Sequence, residues 1–323
     1  MKVIDNPNTE VWQEIVDRCE YATFFHTPAW ARILVETYPR YRIATKLFLF
    51  DDGTRIILPL IELKACKGIL RSYISMPFGV YGGIISDDKI NAQKIKRVFE
   101  YVSQYKFTHV RIFGNPYYDY KLPDKYQVRD YFTQLLRIEQ GFEFIWRNYK
   151  YSVRKQVKKA ERNGVYVKLA GSLEEYKEYF KIYQLALERW GEKATSRYEF
   201  DLFKKVYEIA GEKAKLWLVC HQKIVGGTLV FYHNWHSVEW HAAFDSNYFK
   251  LGIRNFLVNE IIKDAIQRGF KIYDFNPSGG HEGVVRFKES FGAEKRFFKV
   301  WSFESKGYKI LQKGYSLYCS KFR

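Results

Sequence analysis

Ala214-Lys215-Leu216-Trp217-Leu218-Val219-Cys220-His221-Gln222-Lys223-Ile224-Val225-Gly226-Gly227-Thr228-Leu229-Val230-Phe231-Tyr232 reads as two β-strands, 214–221 and 224–232, folded back on the turn Gln222-Lys223. A third strand, Ser237 to Phe244, follows at hairpin distance. Helical spacing then runs from Asn255 to Arg268, and a last strand from Lys271 to Asn276. Upstream, Leu173 to Leu187 is helical. A meander of strands bracketed by helices places this half of the chain in the mixed α and β class.

The first half carries the same order. A helix over 28–37 precedes a strand over 43–50, the turn Asp51-Asp52-Gly53 and a returning strand over 55–63. Strand-like residues from Ser72 to Ile85 are interrupted by Gly79, Gly82 and Gly83; helical spacing over 89–106 leads to a strand over 109–113. The repetition predicts an α/β protein of the α+β type with two domains, 1–145 and 146–301. Each is a mixed, mostly antiparallel sheet flanked by helices. Residues 302–323 are expected to return to the first domain, because Tyr308, Ile310, Leu311, Tyr315, Leu317 and Tyr318 carry apolar surface that the second has already closed over.

The 323 residues supply enough material for two cores, and 47% hydrophobic with 19% aromatic residues excludes a disordered chain. The net charge of +17 biases concave surfaces toward phosphate, nucleic acid or anionic headgroups. Cys19, Cys66, Cys220 and Cys319 are widely spaced and form no C-x-x-C pair, so buried thiols are expected rather than a zinc knuckle or redox motif. The N-terminus lacks an apolar signal region and no stretch reaches membrane-span length. A cytoplasmic protein is expected, with peripheral contact at the inner membrane face left open.

Three segments carry candidate chemistry. In Arg147-Asn148-Tyr149-Lys150-Tyr151-Ser152-Val153-Arg154-Lys155-Gln156-Val157-Lys158-Lys159-Ala160-Glu161-Arg162-Asn163-Gly164, helical spacing gathers Arg147, Arg154, Lys158 and Arg162 into one basic stripe, stopped by Gly164. Mutual repulsion along such a stripe is relieved by a polyanion such as RNA or a polyphosphate. The second segment runs from Tyr273 to Glu294. Asp274 and Asn276 share a strand face, Ser278-Gly279-Gly280 forms a turn, and Glu282, Arg286, Phe287 and Lys288 follow. The third is His233, His236 and His241, where Asn234-Trp235 reads as a hairpin tip and no metal site is expected. On the strand after the tip Glu239, His241 and Ala243 share a face, so Glu239 or His241 is a candidate for proton transfer.

Phe24-Phe25-His26-Thr27-Pro28-Ala29-Trp30, the basic helix ending Ala160-Glu161-Arg162-Asn163-Gly164-Val165, and the Asp274 to Gly292 segment occur in the order and spacing of one family. Over essentially its whole length the chain resembles the FemABX aminoacyltransferases and their FemAB-like and BioF2-like acetyltransferase relatives. The resemblance implies two tandem GNAT-like domains. It implies a donor, aminoacyl-tRNA or acyl-CoA, with no permanently bound cofactor, and an amine acceptor on a cell-wall or surface-glycan precursor. It also puts the family's Phe-Lys pair on Phe287 and Lys288, a phosphate-contacting arginine at Arg197, and Trp30 among the substrate contacts. Two departures stand out: the family's phosphate-binding lysine falls on Leu34, with Arg32 nearby, and of the GNAT pyrophosphate loop over 249–254 only Gly252 is kept. Backbone amides beside Gly252, Arg254 and Asn255 remain able to hold phosphate at the start of the following helix.

These residues predict acyl transfer. Lys288 would face the developing oxyanion, Phe287 would pack on the donor and Arg286 would hold phosphate, while Asp274 and Glu282 are the nearest carboxylates for the proton. No Ser-His-Asp order or nucleophilic cysteine context is visible, so a covalent acyl-enzyme is not expected. Two alternatives stay open: an acyl-CoA-dependent N-acyltransferase of an amino sugar, and a non-catalytic RNA- or polyanion-binding protein on the same fold.

Overall fold

A computed structural model describes residues 1–65, 68–104, 108–194 and 196–311. Cys66, Lys106, Tyr315, Leu317, Tyr318 and Cys319 lie outside the described residues. The chain divides into two compact units: Met1–Tyr131 with the segment from Phe297 onward, and Phe132–Arg296.

The first unit contains β1 (Lys2–Asp5), α1 (Thr9–Arg18), α2 (Pro28–Thr37), β2 (Tyr41–Ile43), β3 (Lys46–Leu49), β4 (Arg55–Leu58), β5 (Ile61–Ala65), β6 (Leu70–Ile74), β7 (Ile85–Ser86), α3 (Ala92–Val102), β8 (Thr108–Phe113) and the start of β9 (Gln127–Arg137). The turn at Asp51-Asp52-Gly53 joins β3 to β4 as expected, with Gly53 at φ +86°. The two strands read over 43–50 and 55–63 are each divided, however. β3 and β4 join β1 and β7 in one sheet, whereas β2 and β5 pair with each other in a second. Pro59 stands at one break; it has no N–H for a ladder and forces the chain to leave its sheet. Ile95, Val98, Phe99 and Val102 of α3 fall on one helical stripe and are buried with Phe48, Ile56 and Trp301.

The second unit continues with α4 (Phe142–Asn148), α5 (Tyr151–Arg162), β10 (Tyr166–Leu169), α6 (Leu173–Trp190), α7 (Phe200–Ile209), β11 (Ala214–His221), β12 (Lys223–His233), β13 (His236–Phe244), α8 (Ile253–Gln267), β14 (Ile272–Asp274), α9 (Glu282–Glu289) and β15 (Glu294–Glu304), whose last residues belong to the first unit and pair with β8. The strand order here is β10-β11-β12-β13-β14-β9. All pairings are antiparallel except β13 with β14. One sheet face is covered by α5 and α8, through Val153, Val157, Phe256 and Leu257 against Val219 and Val230. On the other, α6 and α7 bring Tyr179, Tyr183 and Phe203 onto β12 and β13. Ser172 caps α6 by accepting from Glu175 N at 3.3 Å, and Glu174 and Glu175 suit the positive end of the helix.

The basic stretch differs from the single helix read from its spacing. Tyr149 and Lys150 are extended, so α4 ends at Asn148 and Arg147 leaves the stripe. Gly252 opens α8 at φ +80°, and a β-carbon there would stand 2.4 Å from the backbone oxygen of Gln156. Only glycine lets α8 approach α5 this closely.

Candidate active site

The site begins where β13 and β14 part. Their parallel pairing covers His236–Val238 and Ile272–Asp274 and goes no further. Directly after it, β13 carries a bulge: Glu239 faces Val230 and His241 faces Leu229, leaving Trp240 as the extra residue. The bulge puts Trp240 and His241 on the same side, among Tyr198 and Phe203. Glu239 turns to the other side with Ala242 and Phe244. The alternation that placed Glu239, His241 and Ala243 on one face is thereby corrected, since one inserted residue reverses the pattern.

A cavity of ≈ 750 Å³ opens on the Glu239 side. Its apolar walls include Phe244, Phe249, Phe275, Phe287 and Val258; Arg189, Arg254 and Lys288 bring positive charge, and Glu239 brings negative charge. Lys288 is 5% exposed, and its Nζ donates to the carbonyl of Asn276 at 2.6 Å. Burial pushes this ammonium down to about 8, against the opposing pull of Glu239 and Asp274. Its neighbour Arg286, expected to hold phosphate, is exposed and paired with Glu282 at 3.2 Å. Glu239 Oε2 accepts from the Tyr273 hydroxyl at 2.8 Å, and desolvation raises its carboxyl above the ordinary range while Lys288, Tyr273 and Arg254 work against the rise. The guanidinium of Arg254 lies 4.5 Å from the Phe287 ring centre and 5.5 Å from that of Phe249, and burial lowers its affinity for the proton.

Asn276 ties the parted strands together. It sits at φ +60°; its Nδ2 donates to Trp240 O at 3.0 Å and its N to Asp274 Oδ1 at 2.9 Å. The following turn is held by Gln134, whose Oε1 accepts from Ser278 and whose Nε2 donates to Val285 O, both at 3.0 Å. These bonds fix the start of α9 and with it the place of Lys288.

The structure thus brings together Lys288, Phe287, Glu239 and Arg254, with Glu282 exposed at the cavity rim. Asp274 is fully buried and accepts from Thr133 Oγ1 at 2.6 Å. His241 shares a 2.6 Å hydrogen bond with the Tyr179 hydroxyl, and burial pushes its imidazole down to about 3, so it stays neutral. Arg197 donates to Gly191 O at 2.6 Å outside the cavity walls. Asn255 stands at the start of α8. Arg154 folds back onto the carbonyls of Arg147 and Tyr149, where it closes the end of α4, and it also lines, with Lys158 and Arg162, an open basic groove along α5. Trp30 belongs to the first unit and has no exposed surface; it packs edge-on against Phe25 at 5.1 Å as a core residue. Gly252 serves the approach of α8 to α5. Sequence reasoning missed Thr228, Arg189 and, among the aromatic walls, Phe244, Phe249 and Phe275; the Gly226-Gly227 pair beside Thr228 was the available signal, because glycine inside a strand marks a close approach. A β-carbon on Gly226 would in fact stand 2.3 Å from the Phe244 ring.

Among the described residues, no group of three or more His, Cys, Asp or Glu could hold a metal, and no helix is long and apolar enough to cross a membrane. Cys19 and Cys220 are buried.

Residues 147–289, within the second unit, match the family model described as an acetyltransferase (GNAT) domain. No curated protein sequence matches the chain. Among solved structures, FemX superposes with a TM-score of 0.72 at 12% identity, covering 97% of this chain and 99% of its own. A conserved protein of unknown function from Bacteroides thetaiotaomicron gives 0.59 at 10% identity, with 94% and 100% covered. The C-terminal domain of a putative lysylphosphatidylglycerol synthetase from Agrobacterium fabrum gives 0.53 at 8%, with 96% of each chain covered. The expected FemABX-like fold, mixed α and β over nearly the whole chain, is borne out.

Proposed function

We propose that the second unit transfers an acyl or aminoacyl group from an activated donor to an amine held in the cavity beside Lys288. The observation that carries this reading is a buried ammonium on a fixed carbonyl, in an apolar cavity that also holds a raised carboxyl. Acyl transfer to an amine develops negative charge on the acyl oxygen and releases one proton. Lys288 stabilises the oxygen. Glu239 takes the proton, because Asp274 is engaged by Thr133 and the Asn276 amide, and Glu282 is exposed and paired. A carboxyl raised by burial is a stronger base than an exposed one. Phe287 and the other rings exclude water from the donor ester or thioester.

Aminoacyl-tRNA is the donor that the surface favours. Lys155, Lys158 and Arg162 line an open groove with the exposed ring of Tyr151, a combination suited to a nucleic-acid backbone and a stacked base. The acceptor in this reading is an amine on a cell-wall or surface-glycan precursor.

The test offers the purified protein labelled aminoacyl-tRNA or labelled acetyl-CoA, each with a pool of amine-bearing envelope precursors. Label should pass to the acceptor from charged tRNA and raise the melting temperature with that donor. Transfer from acetyl-CoA alone would move the reading to the N-acyltransferase alternative. Binding of tRNA without transfer from either donor would leave a polyanion-binding protein.

A further inference from the structure

Thr228 lies in β12 opposite Ala242, and it lines the cavity. It is fully buried, and its Oγ has no hydrogen-bond partner among the described residues. A buried hydroxyl without a partner loses its water and gains nothing, while valine would fill the same space without that loss. Such a group at a cavity wall is explained by a partner that arrives with the ligand.

What that partner is follows from the neighbouring carboxyl. Glu239 stands opposite Val230, and Val230 shares a strand face with Thr228, so Thr228 and Glu239 project from the same side of the β12–β13 pair. One oxygen of Glu239 accepts from Tyr273; no hydrogen bond to the other occurs among the described residues. Both groups line one cavity, and because the free carboxyl oxygen accepts and the hydroxyl accepts as well as donates, ligand N–H groups satisfy the two together. A metal ion is disfavoured by Lys288 and Arg254 on the adjoining walls.

We propose that Thr228 Oγ and Glu239 Oε1 together hold two N–H groups of the acceptor's primary amine, leaving its lone pair for the acyl carbon. This rests on the acyl-transfer reading. As the C–N bond forms, the bond from the acyl carbon to the donor's oxygen or sulfur breaks. One N–H proton passes to Glu239 and from there to the departing oxygen or sulfur. Thr228 is then a binding residue that selects primary amines.

Thr228→Val and Thr228→Ser test it. In the ligand-free protein Thr228→Val should raise the melting temperature by about 1–3 °C, since it removes an unpaired buried hydroxyl. In turnover it should raise KM for the amine at least 10-fold and leave KM for the donor unchanged, with Thr228→Ser within 3-fold of the parent protein. A second readout needs no turnover: 2,2,2-trifluoroethylamine, a primary amine that stays neutral at neutral pH, at millimolar concentration should shift the melting temperature of the parent protein and not of Thr228→Val, while its N,N-dimethyl derivative, which lacks N–H, should shift neither. A lower melting temperature for ligand-free Thr228→Val, an unchanged amine KM, or equal shifts with both neutral amines overturns the assignment. Absence of turnover with any donor defeats the acyl-transfer reading alone, and the comparison of the two neutral amines still decides the role of Thr228.

Discussion

Lys288 Nζ donates to the backbone carbonyl of Asn276 at 2.6 Å, and Asn276 itself is held at φ +60° by a side-chain bond to Trp240 O. One residue thus bridges the strands where their pairing stops and supplies the acceptor that orients the buried ammonium. The carbonyl uses one of three N–H donors and leaves the others for a ligand. Position in this site depends on a strained backbone as much as on the lysine.

Replacing Asn276 separates the two contributions. Asn276→Gly keeps the backbone conformation and the carbonyl but loses the bond to Trp240 O, so kcat should fall about 10-fold with the melting temperature nearly unchanged. Asn276→Val places a β-branched residue at positive φ and should cost on the order of 1–3 kcal/mol of stability. Thermal melts and initial rates on both variants give the answer, and equal stability for the two would remove the strain argument.

The basic segment divides into a structural arginine and a binding surface. Arg154 satisfies carbonyls at the end of α4, so Arg154→Gln should lower stability by about 1 kcal/mol and leave the salt dependence of polyanion binding intact. Lys158→Gln with Arg162→Gln should do the reverse, reducing the slope of binding against salt concentration with little change in melting. A filter-binding titration against tRNA at several salt concentrations distinguishes them. Loss of slope with Arg154→Gln alone would put its charge back in the binding face.

How much of this was written in the sequence depends on the range of the interaction. The turn at Asp51-Asp52-Gly53 and the helical spacing of α3 and α8 are local patterns, and they reappear at their expected places. The face of Glu239 was not legible, because a bulge is set by strand register against Leu229 and Val230 rather than by residues 238–242 themselves. For the same reason the helical stripe misplaced Arg147: the chain breaks at Tyr149-Lys150, where Lys150 N bonds the distant Ser290 O at 2.9 Å. Trp30 belongs to a motif shared with the family resemblance, yet its burial answers to Phe24 and Phe25. Thr228 escaped notice because an unpaired hydroxyl can be recognised only after its surroundings are known.

Gly252 offers a test of packing apart from chemistry. An alanine there meets the Gln156 backbone oxygen and must adopt φ +80°, so α8 has to move away from α5. Gly252→Ala should destabilise by about 2 kcal/mol or more, measured by denaturant titration. A neutral result would show that α8 can shift freely and that the glycine answers to a ligand instead.

The strongest test of the site is the pH response of Lys288. If its ammonium stabilises the oxyanion, kcat should decline as pH rises through about 8, where the buried group loses its proton. Glu239 works in the opposite sense: with its carboxyl raised, activity should fall on the acid side as it becomes protonated, and the two limbs belong to the coupled pair rather than to either residue alone. Stability follows its own sign. The folded-state value lies below the ordinary 10.5, so between about 8 and 10.5 the unfolded chain binds more protons, and the native state gains stability as pH rises through that window. The gain is on the order of 3 kcal/mol at most, and it is isolated by comparing the parent protein with Lys288→Met, which lacks it. Lys288→Met and Lys288→Arg should both lower kcat by about 10²-fold or more with KM little changed, because a guanidinium cannot occupy the compact place beside the Asn276 carbonyl. A basic limb that survives in Lys288→Met would assign the titration to another group and remove Lys288 from the mechanism.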